Sequence, residues 1–198
     1  MKVNILLILS ILVLGSCNKT KLNPGQYKQY IENPRHGLYV EKKLGEYIFG
    51  LQYKPLEFVS LLDQRNNDTL PITNNANQYT GLEHFTLKIK RFDGQSVLKK
   101  GGKSLQDYYD LISYFSFGIQ NDLSLIIGID TFSCALSHFE RTFEVNPGIT
   151  ILLGFATNID PEYKNDRILL FKDHLLGTGT IKIRIKGKNI INAPGLKI

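Results

Sequence analysis

The chain has 198 residues, with 24 Lys and Arg against 18 Asp and Glu, for a formal net charge of +6 at pH 7. That surplus is mild and spread along the chain, whereas nucleic-acid binders cluster their cations, so no nucleic-acid partner is expected. Its two cysteines, Cys17 and Cys134, are too few for the disulfide framework of a small secreted scaffold.

From the N-terminus, Lys2 precedes the apolar run 5–14, ILLILSILVL. An export signal carries roughly 7–15 apolar residues and a membrane-spanning helix about 20, so the run predicts a signal and not a span. It ends in Leu14-Gly15-Ser16-Cys17, which resembles the lipobox of bacterial lipoproteins. The resemblance implies that residues 1–16 are a removable signal peptide. It further implies that the Cys17 thiol receives a diacylglyceryl group and that the new amine is acylated, commonly with palmitate. Each buried CH₂ contributes roughly 0.8 kcal/mol, so one chain holds marginally and two or more hold stably. The membrane, reached through the lipid on Cys17, is therefore the first expected partner. Cys134 then has no partner within the chain, and a lone cysteine is most often a small buried residue.

Residues 17–36 read as a polar tether, with one helical turn over 26–32, and a single domain is expected over 37–198. A strand is predicted over 47–53. Pro55 suits the start of a helix that would place Leu56, Val59 and Leu62 together. The Asn-rich stretch 66–77 reads as a loop. Phe85, Leu87 and Ile89 alternate with Thr86, Lys88 and Lys90, and Asp93-Gly94 supplies a turn. Ser104 and Asp107 form a capping-box start, and Leu105, Tyr108, Tyr109, Ile112 and Phe115 follow at helical spacing. Further strands are predicted over 123–129, 134–145, 149–155 and 168–171. Asn146-Pro147-Gly148 joins two of these as a hairpin. Over 179–187, Ile181, Ile183 and Ile185 alternate with Lys182, Arg184 and Lys186, which predicts isoleucines buried and cations in water. Gly187 and Asn189 offer a turn, with Ile190-Ile191 starting a return strand. The expected fold is a mostly β, antiparallel, sandwich-like single domain with one or two short helices.

The segments Tyr30-Ile-Glu-Asn-Pro34, Gly37-Leu38 and Leu51-Gln-Tyr-Lys-Pro55 resemble small uncharacterised lipoproteins of the Bacteroidetes. His138-Phe-Glu-Arg141 and Leu176-Gly-Thr-Gly-Thr180 are similar to further segments of that group, so the resemblance covers most of the mature chain. Arg35-His36 departs from it, standing where a more acidic or amide pair is expected. The resemblance implies a cell-envelope address and no particular chemistry. Surface-displayed lipoproteins of these bacteria carry acidic residues after the cysteine. Asn18-Lys19-Thr20-Lys21 is basic, which implies the periplasm-facing side of the outer membrane.

Few constellations point to chemistry. His138 and Glu140 share one face of an alternating strand, where a carboxylate beside an imidazole raises its proton affinity; they are the catalytic candidates. Cys134 and His138 are four apart and would share a strand face, but no second Cys or His pair completes a structural zinc site, so no metal and no cofactor is expected. Asp173-His174 stands beside a Gly-rich turn, and His36 falls in the tether. No G-x-S-x-G elbow occurs, and Gly101-Gly102-Lys103-Ser104 reads as a loop followed by a cap. Tyr108, Tyr109 and Tyr114 cluster on the predicted helix. The expected function is a non-catalytic, lipid-anchored domain that binds or scaffolds an envelope protein or glycan. Two alternatives stay open: an envelope glycan or peptide hydrolase using His138 and Glu140, and a glycan-binding accessory module.

Overall fold

Period-two alternation of apolar residues builds most of this molecule. The computed structural model describes residues 19–66, 81–99, 104–140, 147–159 and 163–197. Residues 1–18, with the expected signal peptide and Cys17, most of the Asn-rich loop, residues 101–103 and the 141–146 end of a predicted strand lie outside them. The strands of the main sheet are β2 (Tyr39–Leu44), β3 (Tyr47–Lys54), β4 (Leu82–Arg91), β5 (Leu123–Ile127), β6 (Asp130–Glu140), β7 (Ile149–Ala156), β8 (Arg167–Asp173) and β9 (Gly179–Ile185). They pair antiparallel in the order β2-β3-β4-β7-β6-β5-β8-β9. A short parallel pair joins β1 (Lys21–Leu22) to β10 (Gly195–Leu196). The helices are α1 (Pro24–Glu32), α2 (Leu56–Asn66), α3 (Leu105–Ser113) and α4 (Gly187–Ile191).

One strand serves both halves of the sheet. Asp130 to Ser133 of β6 pair with β5, and Cys134 to Glu140 pair with β7, with a register shift between Cys134 and Leu136. An extra residue in one strand bends it and increases its twist. The sheet therefore curls until its edges lie side by side, where the Lys42 ammonium donates to the Lys182 carbonyl at 3.2 Å. Phe49 of one layer meets Phe171 of the other edge-on, ring centroids 6.4 Å apart. The antiparallel, mostly β domain expected from the alternation is what forms, and its two layers are one sheet nearly closed into a barrel.

The clearest strand behaves as predicted. Ile181, Ile183 and Ile185 are buried while Lys182, Arg184 and Lys186 are exposed. The return strand at Ile190-Ile191 does not form; these residues belong to α4. Gly187 lies so close to the carbonyls of Lys164 and Asn165 that a Cβ would collide with them. Its N–H donates to Asp166 at 3.0 Å. That contact turns the chain away from the sheet edge, and Ile190 is then buried by a helical turn.

The tether boundary is also corrected. Residues 21–36 belong to the folded domain. Asn23 and Gln26 cap α1 reciprocally, Pro24 opens it, and Tyr27 and Ile31, four residues apart, are both buried. Tyr27 meets Phe58 of α2 edge-on at 6.3 Å, and Gln52 of β3 donates to the Ile31 carbonyl. His36, read as a tether residue, stacks on Tyr30 with ring centroids 3.7 Å apart, and its Nδ1 lies 2.8 Å from the Tyr30 carbonyl oxygen. Two apolar positions among polar neighbours are enough to dock one helix, and that is too little periodicity to read beforehand.

Both predicted helices form, with shifted faces. In α2 the deepest apolar side chains are Phe58 and Leu61, while Leu56, Val59 and Leu62 are half-buried. The Ser104–Asp107 capping box starts α3 as predicted. The buried stripe, however, is Leu111, Phe115 and Ile119, whereas Leu105 and Tyr109 are exposed. The end of α3, its π-helical continuation (Tyr114–Gly118) and the turn after it reach the sheet, where Phe115 packs against Phe139 at 6.0 Å and Gln120 donates to the Cys134 carbonyl.

Candidate functional site

At one end of the curled sheet a cavity of about 630 Å³ opens between the end of β3, the start of β4, the segment after β7, and α4 with β10. Its volume falls in the range of about 300–1,000 Å³ typical of ligand pockets. Local chemistry places each wall. Pro55 lacks an N–H for the ladder, so β3 stops and α2 begins at Leu56. Asn158 takes a left-handed conformation (φ 49°), which asparagine tolerates better than most residues, and turns the chain around the rim. Leu56, Leu82, Ile159, Ile190 and Pro194 give the walls an apolar character. Lys19, the first described residue, stands at the same cavity.

Among the described residues two carboxylates reach this end, and both are engaged within the protein. Glu83 lies at an inward position of β4 and meets Arg167 of β8, whose side chain is fully buried. The guanidinium donates to Glu83 through Nε at 3.0 Å and Nη2 at 2.6 Å. Its Nη1 donates to the carbonyls of Tyr163 and Asn165 at 2.6 and 2.8 Å. This fork of charge-assisted bonds ties the two layers together at the cavity end. Glu57 accepts the Leu196 N–H at 2.8 Å and the Tyr27 hydroxyl. Burial first, and then the Glu57 charge, pushes the Tyr27 phenol far above its ordinary value. Burial, reinforced by Glu83, does the same to Tyr53.

Lys54 is the remaining charged wall residue of interest. It is the last residue of β3, stands between the large cavity and a smaller one of about 230 Å³, and borders both. The smaller cavity lies under α2, against His84 of β4, Leu136 of β6 and Leu152 of β7. Burial lowers the Lys54 pKa; Glu140 and Glu32 act on it in the opposite sense, and Lys88 adds to the lowering.

The residues singled out from sequence lie elsewhere. His138 and Glu140 do share a face, and that face is exposed; neither borders the two cavities above. Cys134 and His138 do not share a face, because the bulge after Cys134 inverts the alternation and leaves the thiol inside and the imidazole outside. Cys134 is buried, its thiol donates to the Leu136 carbonyl at 3.1 Å, and burial pushes its pKa up to about 11. His174 lies 3.4 Å from Asp122, which also accepts the Tyr114 hydroxyl at 2.6 Å, but the imidazole stands open to solvent. Among the described residues no group of three or more His, Cys, Asp or Glu could hold a metal, and no helix is long and apolar enough to cross a membrane. Sequence reading missed Lys54, Glu83 and Arg167. The signal for the last two was present: each occupies an inward position in phase with apolar residues of its strand, Phe85, Leu87 and Ile89 in one case, Leu169 and Phe171 in the other. No family model, curated protein or solved structure matches this chain.

Proposed function

We propose that this chain is a lipid-anchored cell-envelope protein whose domain binds a ligand without catalysis, in the cavity beside its first strand. The observation that carries this reading is the cavity itself, apolar in its walls, with the two carboxylates among its described lining residues engaged by protein partners. The lipobox-like Cys17 supports the anchor and stands only two residues before Lys19, which borders that cavity. At no more than about 3.6 Å per residue, such a link keeps the opening next to the membrane that holds the lipid. The reading includes a kinship with small Bacteroidetes lipoproteins and a position on the periplasmic side of the outer membrane.

Mass spectrometry of the mature protein checks the anchor. An N-terminus at Cys17 bearing diacylglyceryl and acyl chains is expected. Cys17→Ser should abolish the modification and shift the protein out of its normal membrane fraction. An unmodified Cys17, or a mature start elsewhere, overturns it. A glycan-binding accessory module is the second reading, favoured by the exposed rings of Tyr109 and Phe117 on α3 and its continuation. Absence of retention on peptidoglycan removes that reading, and retention that survives Tyr109→Ala with Phe117→Ala removes these two rings from it.

A further inference from the structure

The cavity's walls divide by chemistry. The side built by α2, α4 and the chain after α4 is hydrocarbon, with Leu56, Ile190, Ile191 and Pro194. The side built by the sheet carries Tyr53 of β3, Glu83 of β4 and Thr157 just after β7, from three neighbouring strands. Each continues the inward phase of its strand, in step with the buried Leu51, Phe85 and Phe155. The Tyr53 ring meets Phe85 edge-on at 5.3 Å, and its phenol feels the charges of Glu83 and Arg167. Glu83 is answered by Arg167. The hydroxyls flanking it are not: among the described residues neither the Tyr53 nor the Thr157 hydroxyl makes a hydrogen bond, although the residues are only 6% and 5% exposed. Buried hydroxyls are nearly always partnered, because leaving one unmade is costly. Two of them on one cavity wall point to a partner from outside the fold.

Charge then limits what that partner is. Glu83 and Arg167 neutralise each other, and Glu57 is held by the Leu196 N–H and the Tyr27 hydroxyl. The charges acting on Lys54 are Glu140, Lys88 and Glu32, none of which lines the cavity, and alternation after Tyr53 turns it to the other face of β3. An ionised group set against the sheet wall would be buried without an opposite charge to meet it, at a cost no single hydrogen bond offsets. Burial and the Glu83 charge keep the Tyr53 phenol protonated, so it can donate as well as accept. A ligand hydroxyl has the same double capacity. We propose that the cavity takes an uncharged, hydroxyl-headed amphiphile, its head hydrogen-bonded to Tyr53 and Thr157 and its hydrocarbon along Leu56, Ile190 and Pro194. This rests on the reading of the cavity as the ligand site. The head makes the specific interaction, and the hydrocarbon supplies affinity in proportion to the surface it loses from water.

Photolabelling tests it with the full chain in place. The protein, as bacteria process it, is purified and mixed with phosphatidylcholine vesicles that hold a 12-carbon probe with a mid-chain diazirine. The probe is the primary alcohol, the alkane or the alkyl sulfate. Labelled peptides are mapped after irradiation and scaled to the labelling of vesicle lipid. The alcohol should label the peptides around Leu56 and Ile190 about fivefold more strongly than the alkane, the ratio expected of one net hydrogen bond. The permanently ionised sulfate should label them less than the alcohol does. Tyr53→Phe combined with Thr157→Val should bring the alcohol down to the level of the alkane and leave the alkane unchanged, which also shows the cavity intact. Ile191→Trp or Leu56→Trp, two half-buried positions that fill the cavity, should block every probe. Equal labelling by alcohol and alkane, or a double variant that still prefers the alcohol or loses the alkane as well, overturns the hydroxyl assignment and leaves the cavity reading standing. A sulfate that labels as strongly as the alcohol overturns the uncharged class. Labelling that is absent, lies outside the cavity, or persists in both tryptophan variants overturns the cavity reading itself.

Discussion

The two ends of β8 solve the same problem in opposite ways. Arg167 and Asp173 both occupy inward positions, separated by Leu169 and Phe171, and both carry a charge into the interior. Asp173 is satisfied by the chain that follows it, accepting the N–H groups of Leu175, Leu176 and Thr178 and the Thr178 hydroxyl, at 2.6–3.0 Å. The charge of Arg167 is met by Glu83, 84 residues away on another strand, while only its Nη1 turns to the nearby carbonyls of Tyr163 and Asn165. The first arrangement is a turn that closes one end of the sheet. The second holds the two layers together beside a cavity. A buried charge with local partners belongs to the turn that makes it, whereas one with distant partners belongs to the tertiary structure and marks where that structure departs from plain hydrocarbon packing.

Breaking the distant pair should be the costliest change. Arg167→Met leaves the Glu83 carboxylate buried without its partner and should lower stability by about 3–5 kcal/mol in urea unfolding. Adding Glu83→Leu should recover much of that loss, because an apolar pair of similar volume is often neutral in place of a buried ion pair. A single variant as stable as the parent would show that the pair carries no such load and would erase the contrast. Hydrocarbon packing away from either charge gives the reference. Ile183 is 2% exposed, and Ile183→Ala should cost roughly 2–5 kcal/mol, near the lower end if the edge strand relaxes around the gap.

The local arrangement should be cheaper and should carry a pH signature. Asp173→Ala removes the acceptor of the turn and should cost about 2 kcal/mol. Burial alone would raise the Asp173 pKa, but the bonds from Thr178, Leu176 and Leu175 outweigh it and hold the carboxyl below its ordinary value of 3.8. A lowered folded-state pKa stabilises the fold above the ordinary value, and that contribution is lost as pH falls through the lowered one. Unfolding followed from pH 5 downward should therefore show a decline in the parent that is shallower in Asp173→Ala. Identical slopes would mean that Asp173 is not held as a carboxylate. The smallest effect concerns Cys134, which lies apart from both ends of β8. Its peptide should react slowly with a thiol reagent in the folded protein and quickly after unfolding, since both access and thiolate are suppressed. Rapid labelling of the folded protein would mean that the interior opens there.

Local rules made several features readable in advance. The isoleucines of β9, the Ser104 cap of α3, the antiparallel mostly β class and the turn after Asp173 all depend on residues within a few positions of one another. The periods of side-chain direction and the valence of helix ends act over that range. The candidate site was not readable, although the inward charges at Glu83 and Arg167 were visible as breaks in alternation. What joined them, and what put Lys54, Leu82 and Pro194 around one space, was the pairing order of strands distant in sequence.

The bulge after Cys134 shows how little sequence such a decision needs. One extra residue reverses the faces of Cys134 and His138, bends β6 across both layers and brings β2 to β9. By itself the sequence determined which segments alternate, where α2 and α3 start and the lipobox-like pattern ahead of the domain. The tertiary structure alone decided that residues 21–36 pack as part of the domain, that Arg167 finds Glu83, and that a cavity lies beside the first strand. Side-chain alternation and capping are settled by near neighbours. Strand order, layer closure and the meeting of buried charges are settled only when the whole chain competes for one interior.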